Sequence, residues 1–440
     1  MALPPPARGK TRALRVRNIF KEHTVAQPKN LKKLTRTRME RTGESYTTAR
    51  KAILAAKPER PGSAADAQAA ADAAEEAELP EYPAPDNVVQ YDAGLWHRVL
   101  TQAGVVHPIT GQPLSEALLA GLAGGIGFMV FTFEYETVTT ATVVTRAHPE
   151  PYTANLLARC GAKVNERTTG STRLAAEYLD AGLDAGRAVV VRASVAALPW
   201  IDAEAVEDSD SIDLAVVGEH GDDLLLDDGS GQLTPISPAD LATARSRRKR
   251  DKNWQAWIPA STGPDTKTLA ANVLSAIEAT TARLLGTSEL DGVPAHFGRN
   301  FGIAGMDSWV DRLRDTTTAK GWSQVFAEPQ RLASGLEQVL GFLTDTRFGG
   351  LGALRGQYAD FLIEASGLPG LESLGEHAQG YAHLAQDWID FTEAIDPAID
   401  PGQRTEHFAA LADHLAAIAR AEELAATALA ANAKQLSASS

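Results

Sequence analysis

The chain has 440 residues, room for two or three domains and a sizeable core, with 44% hydrophobic and 22% charged residues, as in ordinary globular proteins. Its single cysteine, Cys160, excludes an internal disulfide, a cysteine-rich zinc site and an iron–sulfur cluster, and suits a reducing cytoplasm. The net charge of −14 is unevenly spread: residues 1–60 hold 16 Lys+Arg against 4 Asp+Glu, a net +12, and the other 380 hold 26 against 52, a net −26.

In chain order, Met1 to Lys10 has Pro and Arg but no apolar run, so no signal peptide is expected. Residues 1–56 read as a basic arm. Its second half is a helical hairpin, with Leu31, Leu34 and Met39 before the Gly43 stop and Tyr46, Ala49, Ile53 and Leu54 after it. Lys29, Lys32, Lys33, Arg36, Arg38, Arg50 and Lys51 make this hairpin the candidate contact for nucleic acid or another polyanion. Residues 57–86 are low-complexity Ala, Glu, Asp and Pro, too apolar-poor to offset ordering entropy, and read as a disordered linker.

Residues 87–260 mix helix and strand signals. Asp92 is placed to cap a helix through Leu95, Trp96, Val99 and Leu100. Leu114–Leu119 opens a second helix, ended by Gly124-Gly125-Ile126-Gly127 before the strand Phe128–Phe133. Ala117–Phe133, the longest apolar stretch, contains four glycines and is short of the ~20 residues of a spanning helix, so no membrane partner is expected. Helices follow at Thr153–Arg159 and Thr172–Ala185, then strands at Ala188–Arg192, Leu214–Val217 and Asp223–Leu226, the last two forming a hairpin. The class is α+β with an antiparallel sheet. Residues 261–440 read as all helical, with segments at 268–286, 307–314, 328–346, 353–365, 376–392 and 404–434; in the last, Phe408, Leu411, Leu415, Ile418 and Leu424 mark a stripe.

Several stretches, in order, resemble the butirosin-biosynthesis protein H N-terminal-domain family, relatives of papain-like acyltransferases, with its usual helical C-terminal domain of unknown function. They are Leu114–Phe128, Leu198-Pro199-Trp200, Ala215–Gly218 with Leu225–Asp228, Leu241–Ser246, Phe301–Gly305, Trp309 and Leu354–Ala365. The resemblance covers roughly residues 88–395. It implies a papain-like helix-plus-sheet domain acting in secondary metabolism, with an acyl-carrier protein or a small-molecule acceptor as partner. Chemistry in that fold needs a thiolate at a helix N-terminus, a histidine on a facing strand and a group to orient the ring. The matching positions here are Tyr91 or Asp92 for the thiol, Asp213 for the histidine, and Asp227 or Asp228 for the orienting carboxylate. With nucleophile and base both replaced, the resemblance leans toward a pseudoenzyme or binding protein; any chemistry left would be acyl transfer.

Outside those positions, His97, Cys160 and His220 are the remaining candidates. Cys160, among Leu156, Leu157 and Ala158, reads as a buried packing residue, His220 as a hairpin-turn residue and His97 as a helical residue near the cleft. The ten histidines show no HxH or HExxH spacing, and Asp222, Asp223, Asp227 and Asp228 do not match a calcium loop, so no metal and no cofactor is expected. The glycine run at 121–127 lacks a Gly-Lys-Ser/Thr ending and precedes a strand, which suits close packing rather than phosphate binding. The basic run Arg245–Lys252 either complements a helix C-terminus or meets phosphate.

Overall fold

The computed structural model describes residues 81–134, 139–149, 151–201, 210–290 and 292–439. The expected hairpin at 29–56, with Lys29, Lys32, Lys33, Arg36, Arg38, Arg50 and Lys51, lies outside these residues, as does the linker up to residue 80.

The front half opens with α1 (Tyr91–Gln102), α2 (Glu116–Leu122) and a hairpin of β1 (Ile126–Glu134) and β2 (Thr139–Arg146). Then come α3 (Tyr152–Arg159), β3 (Asn165–Arg167), α4 (Thr172–Asp184), β4 (Val189–Ser194), β5 (Ser211–His220), β6 (Asp223–Asp227), β7 (Leu233–Ile236), α5 (Pro238–Arg247) and β8 (Gln255–Trp257). The main sheet runs β3-β8-β4-β5-β6-β7, and every pairing in it is antiparallel. The expected hairpin is present, with Val216 opposite Leu226. Strand β2 and the short β3, β7 and β8 were not anticipated. The last three are three or four residues long, too short to show a period of two, and only the neighbouring strands make them strands.

The pleat sorts β4 and β5 between two cores. Val190 and Ala215 face α1 in the main core, while Val189, Val191, Leu214 and Val216 face a second core that includes Leu179 of α4 and Leu241 of α5. Helix α1 is therefore held against one face of the sheet, with its N-terminus near the middle strands.

The rest is helical: α6 (Thr266–Leu284), α7 (Gly302–Arg314), α8 (Trp322–Val325), α9 (Pro329–Thr344), α10 (Arg355–Ser366), α11 (Gly375–Glu393) and α12 (Arg404–Ser439). Each expected segment is found, with α7 starting earlier and α8 added. The stripe on α12 needs one correction. Leu424 is 74% exposed, and the inward position is Glu422. At 3.6 residues per turn, Glu422 lies roughly 40° from Ile418 and Leu424 roughly 240°. One hydrophobic core runs from Tyr91 to Ala433 through both halves. The β1–β2 hairpin sits in it, with α7 on β1 and α9 on β2.

The glycines at 121–127 do serve close packing. A Cβ at Gly121 would fall 2.2 Å from the Phe361 ring, and at Gly127 it would fall 2.6 Å from the Arg146 carbonyl. Gly124 turns at φ +119°, and its carbonyl accepts from Thr280 Oγ1 and Arg283.

Candidate functional site

The N-terminus of α1 meets β5 and β6 through Tyr91, Asp213 and the Arg98–Asp227 pair. The helix is capped by Gln90, whose Oε1 accepts from Ala93 N at 2.7 Å; Asp92, expected as the cap, sits inside the first turn. Gln90 is wholly buried and its longer side chain reaches back over the turn, which leaves Asp92 to face Arg146 at 3.4 Å. Burial raises the Asp92 carboxyl above the usual carboxylate range. The charge of Asp213 adds to this, and Arg146 opposes it.

Tyr91 is buried and donates its phenol proton to the Asp213 carbonyl at 2.6 Å. Burial, helped by Asp92 and Asp213, pushes that phenol well above its ordinary pKa. Such a hydroxyl does not ionise near neutral pH, so it is a poor nucleophile. Gly229, at φ +74°, leaves space for the ring: a Cβ there would lie 2.6 Å from it.

Asp213 does not stand in for a histidine base. Opposite it in the β4–β5 register is Arg192, which donates two hydrogen bonds to its carboxylate at 2.7 and 3.0 Å and also stacks on Trp254 at 4.7 Å. Asp227 is equally occupied. Arg98 of α1 donates to both its oxygens at 2.5 and 3.0 Å, Tyr82 donates at 2.6 Å, and Gly229 N at 3.0 Å. Asp228 turns away and holds the β6–β7 turn through Ser230 N and Thr234 Oγ1. Tyr91, Asp92, Asp213 and Asp227 thus lie together, and Asp228 is a turn residue.

The helical half closes the same corner. Tyr91 N donates to the Thr346 carbonyl at 3.0 Å, and Gln90 Nε2 points to that oxygen at 3.5 Å. Phe348 O accepts from Thr145 N and Arg146 N, so the 345–350 turn spans α1 and β2. In a thiol acyltransferase the N–H at this helix end would serve an oxyanion. Here it is spent on protein.

The outside candidates do not join this corner through any hydrogen bond. Cys160 caps α3, is 0% exposed, and its thiol is pushed up to about 11 by burial. His97 is half-buried, with Nδ1 2.6 Å from the Leu114 carbonyl. His220 is exposed at the end of β5, paired with Asp223 across the hairpin. Among the described residues no group of three or more His, Cys, Asp or Glu is placed to hold a metal ion, and no helix is long and apolar enough to cross a membrane.

The residues that neutralise the site, Arg98, Arg146, Arg192 and Thr346, were not singled out from sequence. A signal existed for two of them. Arg98 interrupts the buried run of α1, and Arg192 interrupts the apolar Ala188–Ser194 stretch. A charge inside an apolar run asks for a partner.

Residues 92–229 match the family model for the N-terminal domain of butirosin biosynthesis protein H, and residues 239–429 match a domain of unknown function, DUF4872. No curated protein matches the chain. The chain thus carries a butirosin biosynthesis protein H N-terminal domain with a DUF4872 domain behind it.

Proposed function

We propose that this protein acts in butirosin-H-like secondary metabolism as a binding protein, a pseudoenzyme on an acyltransferase scaffold, with an acyl-carrier protein or a small-molecule acceptor as its partner. The observation that carries the reading is the occupied end of α1: Tyr91 N–H is bound to Thr346, its phenol to the Asp213 carbonyl, and the Asp213 carboxylate to Arg192. Nucleophile, base and oxyanion donor all have structural partners, and a papain-like reaction needs each of them available. The family match supports the pathway class, and the buried Cys160 supports the loss of thiol chemistry.

The test uses the full chain with an acyl-loaded carrier protein and, separately, free acceptor amines. Saturable binding without an acyl-protein adduct in the mass spectrum is expected, and Cys160→Ser should leave it unchanged. Iodoacetamide should modify native Cys160 slowly at pH 8, since burial keeps it a thiol. Turnover that Cys160→Ser abolishes would restore an active acyltransferase.

The charge asymmetry of +12 on residues 1–60 against −26 elsewhere favours one alternative, a nucleic-acid or polyanion contact through Lys29, Lys32, Lys33, Arg36, Arg38, Arg50 and Lys51. Filter binding that falls steeply between ~50 and ~200 mM salt and vanishes on deleting residues 1–60 would support it.

A further inference from the structure

Residues 81–89 run up to α1 without regular structure, and their anchoring changes at Val88. Val88 packs on α1 where Gly94 leaves room: a Cβ there would lie 2.2 Å from the Val88 side chain. Val89 N and Gln90 N both donate to Glu116 Oε1 of α2, at 2.9 and 2.7 Å. Ahead of Val88 such anchors are missing. Among the described residues, the backbone of residues 81–88 makes no hydrogen bond. Two polar side-chain contacts hold the segment. The Tyr82 hydroxyl donates to Asp227 Oδ2 at 2.6 Å, and Asp86, its side chain 84% exposed, reaches Arg98 at 3.5 Å.

What lies beneath is costly to cover. Asp227 is 0% exposed and Arg98 2%. Taking a carboxylate and a guanidinium out of water is offset only where their hydrogen bonds are made. Asp227 has four donors. Two belong to Arg98 of α1 and one is Gly229 N in the β6–β7 turn, all parts of the packed fold. The fourth is the Tyr82 hydroxyl, which shares Oδ2 with Arg98 Nε and comes from the weakly anchored segment. Closure therefore sets the half-buried Tyr82 ring and one charge-assisted hydrogen bond against the desolvation of an ion pair, and these oppose each other. Pro83 and Pro85 narrow the conformations open to the free segment, so docking it costs little entropy and few contacts hold it.

We infer that residues 81–87 are a displaceable strap, hinged at Val88, which seals the Asp227–Arg98 pair through the Tyr82 hydroxyl. When the strap lifts, Asp227 Oδ2 loses one donor and faces water at the edge of the α1 corner, where a ligand's hydroxyl can take the place of the phenol. What the opening admits rests on the reading of that corner as the binding site; the movement itself does not.

Carboxyl labelling of the full chain, with a water-soluble carbodiimide and glycinamide and a residue-by-residue mass-spectrometric readout, tests the strap with no partner present. Its failure is therefore distinct from a failure of the binding assays. Glu422, also 0% exposed but in the helical core, is the control that labels only through unfolding. In the wild-type chain Asp227 should label well ahead of Glu422, because the strap opens at less than the free energy of global unfolding. Tyr82→Phe keeps the ring and removes the hydroxyl. It should speed Asp227 labelling about tenfold, the equivalent of one hydrogen bond to a charged group, and leave Glu422 unchanged. Pro83→Gly/Pro85→Gly keeps both polar contacts and should speed Asp227 severalfold by giving the lifted strap more freedom. The proposal is overturned if Asp227 labels as slowly as Glu422 in the wild type. It is equally overturned by a rate that Tyr82→Phe or the glycine variant leaves unchanged, or by equal rises at both carboxylates, which would mark a general loss of stability.

Discussion

Two buried arginine centres make an instructive pair. At the α1 corner, Arg98 and Arg192 hold Asp227 and Asp213. In the helical half, Arg355 of α10 is 0% exposed, donates to Glu422 of α12 at 2.5 Å, and reaches the carbonyls of Gly127 and Thr145 on the two hairpin strands. Trp388 of α11 donates to the same Glu422 oxygen at 3.0 Å. The second centre ties three helices to the hairpin. The first is built from the same parts, a planar guanidinium, a carboxylate and backbone groups, but both oxygens of Asp213 and of Asp227 accept hydrogen bonds, whereas Glu422 Oε2 has no hydrogen-bond partner. The difference teaches that Asp213 and Asp227 are used as joints with both oxygens engaged, whereas a catalytic carboxylate keeps an oxygen available to a reactant; the unbonded oxygen of Glu422 is sealed in the core, where no reactant reaches it.

If both centres are joints, breaking either should cost stability, and the helical one more. Glu422→Ala leaves the buried Arg355 charge with carbonyl partners but no carboxylate, and removes the Trp388 partner as well, so a loss of about 4–5 kcal/mol is expected in urea denaturation. A loss under ~1 kcal/mol would break the comparison. Asp227→Ala strands Arg98, which is 2% exposed, and frees Tyr82. About 3 kcal/mol is expected, because Arg98 retains Asp86 at 3.5 Å, an exposed and therefore weak partner. A variant of native stability with altered acyl-group handling would instead mark Asp227 as a functional carboxylate.

A third effect, graded with pH and small near neutrality, involves residues of both regions. His148 follows β2, and its imidazole is pushed down to about 3 by burial, with Arg146 from the first region and Arg283 of α6 adding to it. An unfolded histidine titrates near ~6.5. The unfolded chain therefore binds the extra proton first, and stability present above ~6.5 is lost as pH falls toward 3, by at most ~1.4 kcal/mol per pH unit. His148→Gln should flatten the urea midpoint between pH 4 and 6.5. Equal slopes in both proteins would show that the two regions do not press on this ring together.

Much of the architecture was legible because it rests on local periodicity. The helical stretches after residue 264 and the β5–β6 hairpin follow from patterns of a few residues; the glycines at 121–127 were legible as close packing of helix on strand, but Gly121 meets Phe361 of α10, a helix. The resemblance also pointed to Tyr91 or Asp92 and to Asp213, and the folded chain brings these three residues to one corner. The sequence did not reveal what those residues do. Asp213 meets Arg192 only through the β4–β5 register, Asp227 meets Arg98 across 129 residues, and Tyr91 N meets a carbonyl from the far half. The exchange of Leu424 for Glu422 on the inner face of α12 has the same origin. An apolar stripe is read from spacing, but a buried carboxylate is tolerated only where a partner waits, and Arg355 is 67 residues away. Periodicity is a property of neighbours in sequence; the neutralisation of buried charge is a property of neighbours in space, and only the folded chain brings those together.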